Sequence, residues 1–169
     1  GVRQFELDLE RDADGTWRVF HIAGVDDASN CPLLTECLAT LRRWSRGHPG
    51  HHPMLVLLEV KSDYDAARAD ADLSSLEDAV TSTWDRSALL TPDDVRGDAA
   101  TLRDAMDAHG WPTLGETRGR TFFVLHAGGA WRASHARRRS ASAWLSGWKP
   151  SATSICSAGI CDWNFSAAL

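Results

Sequence analysis

No run of apolar residues in the 169-residue chain approaches the roughly 20 needed to span a bilayer, so no transmembrane segment is expected. Cysteine is scarce. The four cysteines form two close pairs, Cys31/Cys37 and Cys156/Cys161, and neither spacing matches a zinc knuckle or a C-x-x-C redox motif. For Cys31 and Cys37, a local disulfide suited to an exported protein and a pair of reduced, buried thiols stand as equal readings. Acidic residues are nearly absent from residues 132–169, where Arg132, Arg137, Arg138, Arg139 and Lys149 face Asp162 alone. The net charge of −5 therefore conceals a body of net −9, which argues against a nucleic-acid groove and suits cation binding. A complete eight-fold barrel, at about 250 residues, would not fit this length, whereas one domain with a real core does. The chain opens on Gly1 and enters a strand almost at once, so a fragment or processed piece is expected.

What is present begins with alternation. In Arg3-Gln4-Phe5-Glu6-Leu7-Asp8-Leu9-Glu10 the apolar side chains fall on one face and the carboxylates on the other, which predicts a half-buried strand. Glu6 and Asp8 then stand about 7 Å apart on one face, close enough for a single cation to lie between them. Alternation by itself is met more often by carboxylates that simply face water. A second run, Met54-Leu55-Val56-Leu57-Leu58 after Pro53, predicts a strand buried on both faces, as in a parallel α/β sheet. Glu59 and Lys61 close that strand and point the same way. Ligand sites of such folds lie at the C-terminal strand ends, so these charges fall where chemistry is expected.

Between the two runs, Ala13-Asp14-Gly15 predicts a turn and Trp17 to Ile22 a short strand presenting His21. Pro32 opens a helix whose stripe is Leu34, Cys37, Leu38, Leu41 and Trp44 and whose end is Gly47. The loop His48-Pro49-Gly50-His51-His52-Pro53 has three histidines at irregular spacing and is expected to be a solvated loop, not a ligand set. Leu73, Leu76, Val80 and Trp84 mark a second helix. Thr91-Pro92-Asp93-Asp94 signals a third, and Leu102 to Met106 a further short one closed near Gly110. Arg120 to His126 predicts another strand. This order argues for parallel crossovers, the wall of a barrel. Beyond Trp131 no sustained period remains, so residues 132–169 are expected to form an irregular basic, Ser- and Ala-rich tail, with residues 1–131 as the domain.

The segments Gly1 to Asp8, His21, His51-His52-Pro53 to Leu58-Glu59-Val60-Lys61, Gly110-Trp111-Pro112-Thr113-Leu114 and Arg118-Gly119-Arg120 together resemble the calcium-dependent phosphoinositide-specific phospholipase C family. The resemblance implies an α/β fold, a partial TIM (β/α) barrel of the phospholipase-C-like phosphodiesterase type, incomplete at the N-terminus. It implies Glu6, Asp8 and Glu59 as Ca²⁺ ligands, His21 as the second of two histidines, and Lys61 as a residue that orients Glu59 or meets a phosphate. The first histidine and an Asn ligand are expected on a strand upstream of Gly1. A phospholipid or other phosphodiester is the implied substrate, with peripheral contact at a membrane surface and a secreted or extracytoplasmic location. A glycerophosphodiester phosphodiesterase, which would use Mg²⁺, shares Glu-x-Asp, the following His and Glu-x-Lys. A non-catalytic remnant or lipid-binding module is the alternative of a different class.

Overall fold

Side chains of even and odd number part company along every long strand, and that division organises the molecule. A computed structural model describes residues 1–146, 155–157 and 160–162, with side chains described to Arg138. Strands β1 (Gln4–Arg11), β2 (Trp17–Val19), β3 (Met54–Val60), β4 (Thr121–His126), β5 (Ile155–Ser157) and β6 (Ile160–Asp162) form one sheet in the order β2-β1-β3-β4-β6-β5. The pairs β1/β3, β3/β4 and β4/β6 are parallel, while β2 and β5 are antiparallel to β1 and β6. Helices α1 (Leu34–Gly47), α2 (Ala69–Thr83), α3 (Pro92–Arg96), α4 (Leu102–His109), α5 (Leu114–Thr117) and α6 (Gly129–Ser146) fill the crossovers. Parallel strands alternating with helices make this a partial (β/α) barrel.

One face of the sheet is the core. Leu7 and Leu9, then Met54, Val56 and Leu58, then Phe123 and Leu125 are buried beneath Leu34, Cys37 and Leu38 of α1 and Leu73, Leu76 and Val80 of α2. Each fully buried aliphatic or aromatic side chain stabilises the fold by about 1.5–3 kcal/mol. The other face carries Glu6, Asp8, Leu55, Leu57, Glu59, Phe122, Val124 and His126, all half-buried or exposed. The expectation that β3 is buried on both faces therefore fails. Leu55 and Leu57 face the same side as Glu6 and Glu59 and are only half-buried.

Two further expectations change. β2 stops at Val19, and not at Ile22, because His21 and Ile22 both turn their amides onto the Asp26 carbonyl, at 3.1 Å each. The tail expected from residue 132 begins instead as helix α6. Its residues Trp131, Ser134 and His135 are buried, and Arg138 binds the Asp70 carbonyl, Ser74 and Glu77 of α2. The indole of Trp131 donates to the Ser62 carbonyl at 3.1 Å, and Tyr64 Oη meets Ser134 Oγ at 2.8 Å. The barrel unit thus runs past residue 131, and Arg138 is a docking residue of α6, not part of a solvated tail. Residues 147–154, 158–159 and 163–169, and the Cys156 and Cys161 side chains, lie outside the described residues.

Cys31 and Cys37 form a disulfide with Cα atoms 5.1 Å apart, which pins the loop entering α1 to that helix's first turns. At the opposite end, Gly119 has φ +75°, and a Cβ there would fall 2.5 Å from the Pro49 carbonyl oxygen. Its amide donates to the His51 carbonyl at 2.8 Å. The sequence needs glycine at this point because the turn into β4 runs directly against the loop into β3.

Candidate metal and phosphodiester site

Register alone brings the charged residues together. Asp8 of β1 pairs with Glu59 of β3, and Glu59 pairs with His126 of β4, so the three occupy one row across adjacent parallel strands. Neighbouring strands lie about 4.8 Å apart, and Glu6 is one pleat below Asp8 on the same face. The row sits at the C-terminal ends of β3 and β4, the end at which (β/α) barrels build their sites.

Around Glu59 the distances are those of a compact charged cluster. Lys61 Nζ lies 2.9 Å from Glu59 Oε2. His126 Nδ1 lies 3.9 Å from Glu6 Oε1. Glu6, Glu59 and His126 each offer one ligand atom within 4.8 Å of the other two. The hydrogen bond from Lys61 holds the Glu59 carboxyl below its ordinary range. Glu6 is pushed above its ordinary range, first by its hydrogen-bonded contact with Glu59, then by partial burial and by the charge of Glu59. Asp8 is also raised, first by burial, against the opposing pull of Lys61. Lys61 is raised in turn by Glu59 and the two further acids.

These shifts have one physical meaning. Three carboxylates share a face with a single lysine, and the negative charge left over falls on Glu6 and Asp8. Hard anionic oxygens in excess are the donor set that Ca²⁺ accepts, and a divalent ion would relieve the repulsion that raises both acids. The residues present fit calcium on that ground.

His21 stands on the loop after β2, beside the cluster. The Phe20 amide donates to the Asp8 carbonyl at 3.2 Å, which ties this loop to β1 one residue before His21. The imidazole is 55 % exposed, and its Nδ1 lies 3.3 Å from Asp26 Oδ2. The same loop exposes Ile22 and Val25, the latter at 82 %.

All five residues singled out from the sequence, Glu6, Asp8, His21, Glu59 and Lys61, thus lie in one neighbourhood. His126 joins them and was not singled out. Its signal was its place at the last position of a strand, the same place that drew attention to Glu59. The loop histidines keep away from the site: His48 stacks on Trp44, and His51 is buried with Nε2 2.9 Å from Ser45 Oγ.

A family model described as phosphoinositide phospholipase C, Ca²⁺-dependent, matches residues 13–143. The matched segment holds His21, Glu59, Lys61 and His126 and runs well into α6, with Glu6 and Asp8 just before it. No curated protein sequence matches the chain. Among solved structures, the chain is similar to a Ca²⁺-dependent phosphatidylinositol-specific phospholipase C from Streptomyces antibioticus. That match has 25% identity and a TM-score of 0.68, and covers 87% of this chain and 54% of that one. It is also similar to a calcium-dependent phosphoinositol-specific phospholipase C from a Gram-negative Pseudomonas species, described as a myoinositol complex. Here the identity is 25% and the TM-score 0.64, with 80% of this chain and 53% of that chain covered. The chain spans about half the length of these structures.

Proposed function

The chain belongs to the calcium-dependent phosphoinositide phospholipase C family, and from that premise we propose that the protein cleaves the phosphodiester bond of phosphatidylinositol-type lipids at a calcium ion held by Glu6, Asp8 and Glu59. The observation that carries this reading is the row of acids at the strand ends, with more negative charge than Lys61 can neutralise. A calcium ion bound there supplies Lewis acidity toward an inositol hydroxyl and charge neutralisation at the phosphate oxygens.

The chain's own residues do the rest. Glu6 and Asp8 present oxygens from one strand face and Glu59 from the next, so strand register sets their spacing. Lys61 fixes the Glu59 carboxylate through its 2.9 Å contact and keeps it ionised. Asp26 engages Nδ1 of His21, and the protonated ring then has its Nε2–H to donate to the phosphoryl oxygen on which charge builds as the hydroxyl attacks. A preorganised donor of this kind is worth about 3 kcal/mol when removed.

Two features support a lipid surface outside the cytoplasm as the place of action. The Cys31–Cys37 disulfide suits an oxidising compartment. Exposed Ile22 and Val25 lie on the loop that carries His21, where a membrane-bound substrate would arrive. Among the described residues no helix is long and apolar enough to cross a membrane, so this contact would be peripheral.

The test is product identity. Intact protein incubated with phosphatidylinositol should release inositol phosphate in the presence of calcium and none with a chelator. His21→Ala should lower kcat by about 10²- to 10³-fold. Glycerophosphocholine serves as the second substrate. Release of glycerol phosphate from it under Mg²⁺, with no inositol product, would overturn the phospholipase reading in favour of a glycerophosphodiester phosphodiesterase.

A further inference from the structure

His126 has no task in the reading above, yet a ring nitrogen lies within 4.8 Å of carboxylate oxygens of two of the proposed calcium ligands, close enough for one ion to be shared. We propose that His126 gives this site a nitrogen ligand, so that Glu6, Glu59 and His126 bind a borderline transition ion such as Co²⁺ or Zn²⁺ in competition with calcium. The inference rests on the calcium assignment of Glu6 and Glu59.

Three observations carry it. First, β3 and β4 pair Glu59 directly with His126, so the ring is placed by sheet register and not by a loop. Second, the three ligand atoms lie within 4.8 Å of one another, with His126 Nδ1 only 3.9 Å from Glu6 Oε1. Transition-ion bonds of about 2.0–2.2 Å ask for a modest contraction of that spacing. His126 and Glu6 are 58% and 45% exposed and can rotate to provide it. Third, the donor types differ in preference. Oxygen-only sets suit Ca²⁺ and Mg²⁺, whereas an imidazole shifts affinity toward Co²⁺, Zn²⁺ and their neighbours.

Glu6 and Glu59 carry two negative charges, and Asp8, which need not be a ligand, offsets the charge of Lys61, so the cluster balances a divalent ion. The site then offers two overlapping ligand sets: Glu6, Asp8 and Glu59 for calcium, and Glu6, Glu59 and His126 for a transition ion. Glu6 and Glu59 are common to both, so one ion excludes the other. Trace transition metal would act as an inhibitor of the calcium-dependent reaction.

Cobalt provides the probe, because its visible absorption reports binding without any substrate. Intact wild-type protein and His126→Ala would be titrated with Co²⁺ by absorbance and with Ca²⁺ by calorimetry. Wild type should bind Co²⁺ and release it as Ca²⁺ is added. His126→Ala should bind Co²⁺ at least 10-fold more weakly, with calcium affinity within about 3-fold of wild type. The more conservative His126→Gln, which returns an oxygen donor, should restore neither the affinity nor the cobalt spectrum. Equal cobalt affinity in wild type and His126→Ala, or cobalt that calcium fails to displace although calcium itself gives binding heats, overturns the proposal. Equal weakening of both ions by His126→Ala also overturns it, since that marks a general structural role. Calcium heats alongside histidine-independent cobalt binding would sink this inference and leave the calcium site standing. Histidine-dependent cobalt binding without calcium heats would uphold His126 as a ligand and sink the calcium assignment instead.

Discussion

Glu6 stands where an isolated carboxylate would not settle, against a second acid that already holds the lysine. Its raised pKa carries a stability sign. A carboxyl whose folded value exceeds its unfolded value binds protons better when folded, so the metal-free fold loses stability as pH rises from the unfolded value through the folded one. At neutral pH the cluster therefore destabilises calcium-free protein. Glu6→Gln should raise the Tm of calcium-free protein by about 1–3 °C, the size expected of a half-exposed charge contact, and a thermal melt with chelator checks it. Calcium affinity should fall as pH drops through the raised range of Glu6 and Asp8, beginning at a higher pH than for ordinary carboxylates. Calorimetry at a series of pH values reads this directly. Glu6, Asp8, Glu59 and Lys61 were legible because alternation and strand-end position mark them in one dimension. His126 was not legible. Its meaning comes from pairing with Glu59, 67 residues away on another strand, and sequence does not state register.

At the scale of elements, β4 is positioned by the turn before it. Gly119→Ala would force a Cβ into the Pro49 carbonyl and a side chain into a left-handed φ, costing about 1–3 kcal/mol in denaturant unfolding. α6 offers a second test. Arg138→Ala removes bonds to Ser74, Glu77 and the Asp70 carbonyl and should cost about 1–2 kcal/mol, measured the same way. A change under about 0.3 kcal/mol would contradict the docking of α6 on α2. The strands β1, β3 and β4 and the helices α1 to α4 could be read from period and, for α3, from capping, since Thr91 accepts from the Asp94 amide. α6 could not be read that way. Its inward stripe, Trp131, Ser134, His135 and Arg138, has helical spacing but is mostly polar, and a search for apolar periodicity passes over a helix that docks by hydrogen bonds.

For the molecule as a whole, one sheet divides two kinds of work. Its core face buries aliphatic side chains against α1 and α2 and supplies stability, while the opposite face gathers acids, a lysine and a histidine at the strand ends. Ligand binding then feeds back on stability. Calcium at 100 times its Kd should stabilise the intact protein by about 2.7 kcal/mol, and Glu6→Gln should remove about half of that gain or more while melting higher without the ion. Such opposed effects of one substitution separate a functional cluster from a purely structural one.

Calorimetric titration of the intact protein with calcium, set beside Glu6→Gln, Asp8→Asn and Glu59→Gln, tests the central claim most directly. Wild type should bind one ion at this cluster, and each variant should lose at least 10-fold in affinity, about 1.4 kcal/mol. Heats from all three variants that match wild type would show that these carboxylates do not share an ion.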